Sequence, residues 1–226
     1  MSLIGKLMEK PWLAQPEGMD PALLVTTNNG WPARTALRFF LGTVTVIFFL
    51  FIMTLLGRSQ MGDFHALAGE PWLPFDRPVQ LWWNSAILLL SSIAMHAGLW
   101  LARQNRLQAS LLAVMLAVVL VLGFMLAQGY VWQQLAVAGF GLTTNPASSY
   151  FYLLTAVHLV HLLGGVVALS GLLRRYWQQH TQARIVAGLT LCTTYWHYLF
   201  GIWLVLFALL TSSAGTIDSL AALCGF

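Results

Sequence analysis

The stretch ASLLAVMLAVVLVLGFMLAQGYVW, residues 109–132, decides the fold because it contains no Asp, Glu, Lys or Arg over its whole length. A helix needs about 20 predominantly apolar residues to cross about 30 Å of hydrocarbon. Inside a bilayer the backbone polar groups must be satisfied within the segment itself, as they are in an α-helix. This stretch therefore predicts a transmembrane helix.

Four further stretches of the same character lie along the chain, near 36–57, 80–102, 149–173 and 185–211. Between Arg106 and Arg174 there is no ionised side chain, so two stretches and their connection are uncharged together. Of the 226 residues, 58% are hydrophobic and 8% are charged, whereas a soluble domain carries about 25% charged residues. The sequence predicts an all-α integral membrane protein that forms a five-transmembrane-helix bundle.

The basic residues are distributed unevenly between the two sides of such a bundle. Nine of the 11 Lys and Arg residues share one side, and Arg58 and Arg77 lie on the other. Because basic residues concentrate on the cytoplasmic side, the N-terminus is predicted to be cytoplasmic and the C-terminus periplasmic or external. The predicted layout is a cytoplasmic tail at 1–33, a membrane domain at 34–211 and an external tail at 212–226. The net charge of +4 is then a topology signal, and nucleic-acid binding is not expected.

Four of the six histidines, His96, His158, His161 and His197, fall inside predicted spans. His158 and His161 are three residues apart and share a helix face, which should point into the bundle because a polar ring facing lipid is costly. Opposed histidines could ligate a haem. Alternatively, the rings could form hydrogen bonds between helices. The second interpretation is favoured, because none of the 7 acidic residues lies in a span to support a metal site.

Four stretches, in order, resemble helices of one known family. LWWNSAILLLSSIAMHAGL (81–99) resembles LNTxxLLxSSxTxxxA, and LGFMLAQGYVW (122–132) resembles GxxFxxxQxxEW. SSYFYLLTAVHLVHLLGG (148–165) resembles SxFFxxTGxHGxHVxxG, and TYWHYLFGIWLVLF (194–207) resembles YWHFVDVVWLxLF. The family is haem–copper oxidase subunit III, also called cytochrome c oxidase subunit 3. The chain matches the last five of the family's seven helices, as its short bacterial forms do.

The chain also departs from the family pattern. Val131 and Phe200 stand where the family often has acidic residues, and Val44 follows Thr43 where it often has Glu after Ser. Ala156 replaces a glycine of the family pattern. Roles ascribed to the family's buried carboxylates therefore do not transfer to this chain.

The resemblance implies an accessory subunit in the bacterial cytoplasmic membrane, with no catalytic, cofactor-binding or metal residues of its own. Haem and copper are expected in subunit I, which this chain would contact directly and stabilise. Subunit II, other oxidase subunits and membrane lipids, including a bound phospholipid, are further expected partners. The complex would reduce dioxygen to water, with electrons from cytochrome c or quinol, and translocate protons.

The retained motif positions are predicted to pack and hydrogen-bond so as to hold the bundle against subunit I. They are Asn84, Ser91, Ser92, Gln128, Trp132, Thr155, His158, His161, Gly164, Tyr195, Trp196, His197 and Trp203.

Other functions remain open at this point. One is a subunit III-like partner of a nitric oxide reductase. Another is an independent di-haem membrane electron carrier that uses His96, His158, His161 and His197. A small transporter is disfavoured, because the sequence has no internal repeat and no carboxylate at depth.

Overall fold

The structure is a computed structural model, and it describes residues 31–64, 79–177 and 181–225. Its helices are α1 (Trp31–Ser59), α2 (Val79–Arg103), α3 (Leu107–Val137), α4 (Pro146–Trp177), α5 (Gln182–Leu210) and α6 (Ala214–Leu223). Among the described residues, five helices, α1 to α5, are long and apolar enough to cross a membrane. The predicted all-helical fold with five membrane spans is confirmed at this level.

The chain divides into two compact units, residues 1–38 and 39–226. The described residues of the first unit form the beginning of α1, and the second unit contains the rest of α1 and helices α2 to α6. Residues 1–30 of the predicted N-terminal tail, and 65–78 of the first connection, lie outside the described residues.

Local sequence signals explain where the helices stop and start. The α2–α3 connection is short, and Asn105 adopts a left-handed conformation in it (φ 63°), which asparagine tolerates better than most residues. Helix α3 runs to Val137, beyond the stretch predicted to end near 132, and Gly139 follows at φ 88°. At the start of α4, the Asn145 side chain accepts a hydrogen bond of 3.1 Å from the backbone N–H of Ala147.

Helix α2 is the most extensively packed helix in the second unit, with α3 on one side and α5 on another. A Cβ atom at Gly98 would lie 2.8 Å from Cγ2 of Val114, so the glycine is what allows α2 and α3 to approach so closely. Helix α4 completes the arrangement by packing against α5 and, more weakly, α3. This places the polar residues of α2 between two neighbouring helices.

The part of α1 that belongs to the second unit packs on a separate apolar cluster. Val44 and Phe48 are buried there with Leu154 of α4 and Leu206 of α5. The short helix α6 lies in the region predicted only as a tail, and it contributes Ile217 to the same cluster. Burial of Ile217 explains why this ten-residue segment is helical, since so short a helix is marginal without tertiary packing.

Candidate functional site

The candidate site is the set of polar side chains that α2 directs at its neighbours. Asn84, Ser85, Ser91 and Ser92 are all buried in the chain. Asn84 and Ser91 are seven residues apart, as are Ser85 and Ser92, so each pair lies two helical turns apart on the same side of α2. A helix whose apolar positions face lipid can thereby present hydrogen-bonding groups to α3 and α5.

The first contact of this set is between two amides at the α2–α3 interface. Asn84 Nδ2 donates to Gln128 Oε1 over 3.1 Å. Both side chains are buried, with Asn84 1% and Gln128 0% exposed. Gln128 Nε2 has no hydrogen-bond partner among the described residues, so Gln128 contributes to the interface mainly as an acceptor.

Two tryptophans of α5 complete the α2 contacts. Trp196 Nε1 donates to Ser91 Oγ over 3.0 Å, and Trp203 Nε1 donates to Ser85 Oγ over 2.9 Å. Ser91 Oγ in turn donates to the carbonyl oxygen of Ala117 in α3 over 2.8 Å. A single serine therefore joins three helices, and both indole N–H groups are satisfied at depth.

A second group of hydrogen bonds joins α3 to α4. Trp132 Nε1 donates to Thr155 Oγ1 over 3.1 Å, and Thr155 Oγ1 donates to the carbonyl oxygen of Phe151 over 2.6 Å. Tyr152 Oη donates toward the carbonyl oxygens of Trp132 and Phe140, at 3.2 and 3.1 Å. These bonds link the C-terminal part of α3 and the loop after it to α4.

His158 is wholly buried in a surround of aromatic rings. Its ring centroid lies 5.3 Å from that of Trp203, 6.1 Å from Phe124 and 6.5 Å from Phe48. Neither ring nitrogen has a hydrogen-bond partner among the described residues. The ring therefore packs as an aromatic side chain.

His161 is only partly buried and is bonded within its own helix. Its Nδ1 donates to the carbonyl oxygen of Val157 over 2.7 Å, and the carbonyl oxygen of His161 accepts from Tyr195 Oη over 2.9 Å. Tyr195 passes close to α4 here, because a Cβ atom at Gly165 would lie 2.9 Å from its Cε1. At the predicted position Gly164, a Cβ atom would meet nothing within 4 Å.

The other two histidines of the spans lie on the surface of the chain. Ser92 Oγ lies 2.5 Å from His197 Nδ1, and His197 Nε2 lies 3.3 Å from His96 Nδ1. Both rings are exposed, whereas Ser92 is 3% exposed. The structure thus separates the four histidines into His158 inside, His161 at the α4–α5 contact, and a surface pair on α2 and α5.

Sequence reasoning missed several residues of these interfaces. Ser110 of α3 donates to the carbonyl oxygen of Gly98 over 2.7 Å and lies 2.8 Å from Tyr176 Oη. Ser85 was also missed, although its spacing from Ser92 could have identified it. Over the described ranges, no group of three or more His, Cys, Asp or Glu side chains is placed to hold a metal ion.

The geometry above is that of a helical bundle with an internal polar network, and comparison with known proteins gives its family. The family model described as cytochrome c oxidase subunit III matches residues 32–212. The chain belongs to the cytochrome c oxidase subunit III family. It is therefore a membrane subunit of a respiratory terminal oxidase and has other oxidase subunits as partners.

Individual relatives agree with this membership. Cytochrome c oxidase subunit 3 of Thermostichus vulcanus is 28% identical over 145 residues, which cover 62% of this chain and 71% of the relative. The probable cytochrome c oxidase subunit 3 of Mycobacterium leprae is 30% identical over 165 residues, covering 71% and 77%. Cytochrome c oxidase subunit 3 of Alkalihalophilus pseudofirmus is 27% identical over 171 residues, covering 75% and 81%. These alignments span most of each relative's length.

Proposed function

We propose that this subunit III is an accessory, cofactor-free component of a haem–copper terminal oxidase and stabilises the catalytic subunit I. The observation that carries the proposal is the family match over residues 32–212, which includes all five candidate membrane-spanning helices. Haem and copper in subunit I reduce dioxygen to water, and the complex conserves the energy by translocating protons.

The hydrogen bonds of the candidate site support a structural contribution. Ser91, Trp196 and Trp203 connect α2 and α5 through groups that are wholly buried, and Trp132 and Thr155 connect α3 and α4. Hydrogen bonds between helices at depth fix helix rotation and register, because each broken bond leaves a polar group in an apolar medium. A rigid bundle of this kind can hold a neighbouring subunit in a fixed position.

The proposed orientation has the N-terminus in the cytoplasm and the C-terminus outside the bacterial cytoplasmic membrane. Arg103 and Arg106 flank the α2–α3 connection, and Arg174 and Arg184 flank the α4–α5 connection. These two connections lie on the same side of a five-span bundle, and their charge favours the cytoplasmic side. In this orientation, the predicted tail at 1–33, whose last three residues belong to the start of α1, lies in the cytoplasm, and residues 212–226 form an external segment.

A groove between α2 and α3 is a candidate position for a phospholipid. It has a volume of about 890 Å³ and is lined by apolar side chains together with the polar or aromatic residues Gln80, Trp83, Asn84, Tyr130, Gln133 and Gln134. The uncharged polar groups could bond to a lipid's ester or phosphate oxygens, while the apolar walls pack on an acyl chain. Membrane lipid is thus proposed as a further partner.

The packing of His158 favours this assignment over a di-haem electron carrier. Both ring nitrogens of His158 are buried by the surrounding protein, with Trp203, Phe124 and Phe48 packed around the ring, so a haem iron could reach neither nitrogen in this packing. His96 Nδ1 and His197 Nε2 lie 3.3 Å apart, within hydrogen-bond distance. This separation leaves no room between the two nitrogens for a haem iron that both would ligate.

The proposal is tested by purifying the complex through an affinity tag on this chain in a mild detergent. We expect the catalytic subunit to be recovered with it, with haem bands in the reduced-minus-oxidised spectrum and oxygen consumption that depends on cytochrome c or quinol. Recovery of a nitric-oxide-consuming enzyme would assign the chain to the reductase alternative. Recovery of no haem-containing partner under conditions that retain the chain would contradict the proposal.

A further inference from the structure

His96 and His197 place polar rings on the surface of the chain within the membrane-spanning region, where the surrounding lipid is apolar. Counted at about 1.5 Å per residue, His197 lies about 22 Å from the start of α5 at Gln182 and about 20 Å from its end at Leu210. His197 therefore lies near the middle of a membrane span, whereas His96 lies about 10 Å from the end of α2 at Arg103. Both His197 and His96 are exposed on the surface of the chain.

One hydrogen-bonding group on this surface, His96 Nε2, faces hydrocarbon, which can neither donate nor accept a hydrogen bond. Ser92 Oγ, His197 and His96 form a chain of hydrogen bonds that begins in the protein and ends at the surface. The outer nitrogen of the chain, His96 Nε2, has no hydrogen-bond partner among the described residues. An open polar group in lipid is costly, so this end of the chain requires a polar group from outside the subunit.

The surroundings of the pair form a receptive groove. It has a volume of about 570 Å³, with walls from Leu89, Ile93, Trp100 and Phe200. Ser92 and Ala97 are small residues that also line it.

One helical turn beyond His197, Gly201 leaves further space beside the groove. It is exposed, and a Cβ atom at this position would meet nothing within 4 Å. Small residues on a helix surface allow the backbone of another membrane helix to approach closely. The apolar walls of the groove and the open space beside Gly201 fit a membrane helix better than a single lipid acyl chain.

We infer that this groove receives a transmembrane helix of another oxidase subunit, which places a hydroxyl, carboxamide or protonated carboxyl group on His96 Nε2. The inference rests on the proposed function, since it assigns the contact surface of the same subunit. A neutral imidazole has one donor and one acceptor nitrogen. The donor and acceptor roles along Ser92, His197 and His96 depend on the tautomers of the two imidazoles. A group that can both donate and accept a hydrogen bond can therefore pair with His96 Nε2 in either case.

The chemistry of the groove argues for this occupant. No Asp, Glu, Lys or Arg side chain lines it, so an anionic lipid headgroup has no Lys or Arg partner there. His197 lies about 20 Å from either end of α5, and His96 lies about 10 Å inside the end of α2 at Arg103. A second copy of this chain would bring another Ser–His–His chain to the same place. It is therefore an outcome that the test must separate from the proposed one.

The direct test is site-specific photo-crosslinking in the intact oxidase within its own membrane. A benzophenone amino acid replaces Ile93, which is 55% exposed in the groove, and in a control replaces Leu126, which is 77% exposed on α3. We expect the Ile93 probe to label a membrane-spanning peptide of another oxidase subunit, and the Leu126 probe not to label that peptide. Labelling of lipid alone, or of a second copy of this chain, from Ile93 would overturn the inference.

A matched set of variants tests the polar contact itself. Because hydrogen bonds between membrane helices contribute about 0.6–1.7 kcal/mol, His96→Leu should lower the recovery of the partner subunit about three- to eighteenfold. His96→Asn, which keeps a donor and an acceptor, should restore part of that recovery while leaving the amount of folded chain unchanged. Equal recovery with Leu and Asn would contradict the hydrogen bond.

Experiments on the wild-type chain and the Ile93 probe distinguish failure of the proposed function from failure of the groove assignment. If it recovers no oxidase subunit at all, the proposed function is wrong. If it recovers the complex normally while the Ile93 probe labels only lipid, the function stands and the groove assignment alone is wrong.

Discussion

The imidazole of His158 lies 5.3 Å from the indole of Trp203, with the two rings inclined at 34°. Phe124 meets both rings edge-on, with centroid distances of 6.1 Å to His158 and 4.8 Å to Trp203. Histidine thus serves as part of an aromatic cluster in the centre of the bundle. This arrangement leads to a prediction that separates packing from ligation.

We predict that His158→Phe folds with an unchanged or higher midpoint of thermal unfolding in mild detergent. The substitution removes two buried nitrogens that have no partner among the described residues and keeps a flat ring in the cluster. Thr155→Val is the control. It removes the acceptor of the Trp132 N–H and should destabilise the chain by about 1 kcal/mol. A large loss of stability in His158→Phe would contradict this account.

Trp203→Phe and Trp196→Phe should each lower the free energy of unfolding by about 1–3 kcal/mol, because each loses an inter-helix hydrogen bond and fills less of a buried site. Trp83→Phe is the matched control, since Trp83 is 67% exposed. Thermal unfolding monitored by size-exclusion chromatography gives the comparison. An effect of Trp83→Phe as large as the other two would show that the α2–α5 bonds are not important.

Two adjacent glycines give a sharp test of the α4–α5 contact. In Gly165→Ala the new methyl group would lie 2.9 Å from Cε1 of Tyr195, whose hydroxyl is bonded to the carbonyl oxygen of His161. Overpacking of this kind costs about 1–3 kcal/mol. Gly164→Ala adds a methyl group to open space and should be neutral or stabilising by up to about 1 kcal/mol. A lower unfolding midpoint for Gly164→Ala than for Gly165→Ala would show that Tyr195 does not pack against Gly165.

The proposed orientation predicts the labelling of Cys224, which is exposed after α6. In a Cys192→Ser background, a membrane-impermeant maleimide added to intact cells with a permeable outer layer should label Cys224. A cysteine placed at Gln104, in the connection between α2 and α3, should be labelled only after the membrane is broken. Protection of Cys224 in intact cells would reverse the topology.

The sequence was sufficient to predict the number of spans, because long apolar stretches without charge have few alternatives to membrane helices. It did not predict α6 as a helix. Its ten residues are too few for a strong periodic signal, and the helix depends on burial of Ile217 and Ala221 against other helices.

The histidines show a different difficulty. Each membrane helix of this chain carries apolar residues on all its faces, so the pattern of hydrophobicity does not identify which face points to the interior of the bundle. His158 and His197 consequently looked equivalent in the sequence, although one is buried and the other is exposed. The glycine pair 164–165 presents the same problem, since only the tertiary contact with Tyr195 reveals which of the two is required.

The most direct test of the central claim is the absorbance spectrum of this chain purified without its partners and, in parallel, within the complex. The account predicts a folded, helical chain with no Soret band when it is alone, and haem bands only when the catalytic subunit is present. A stable isolated chain that retains a stoichiometric Soret band would contradict it.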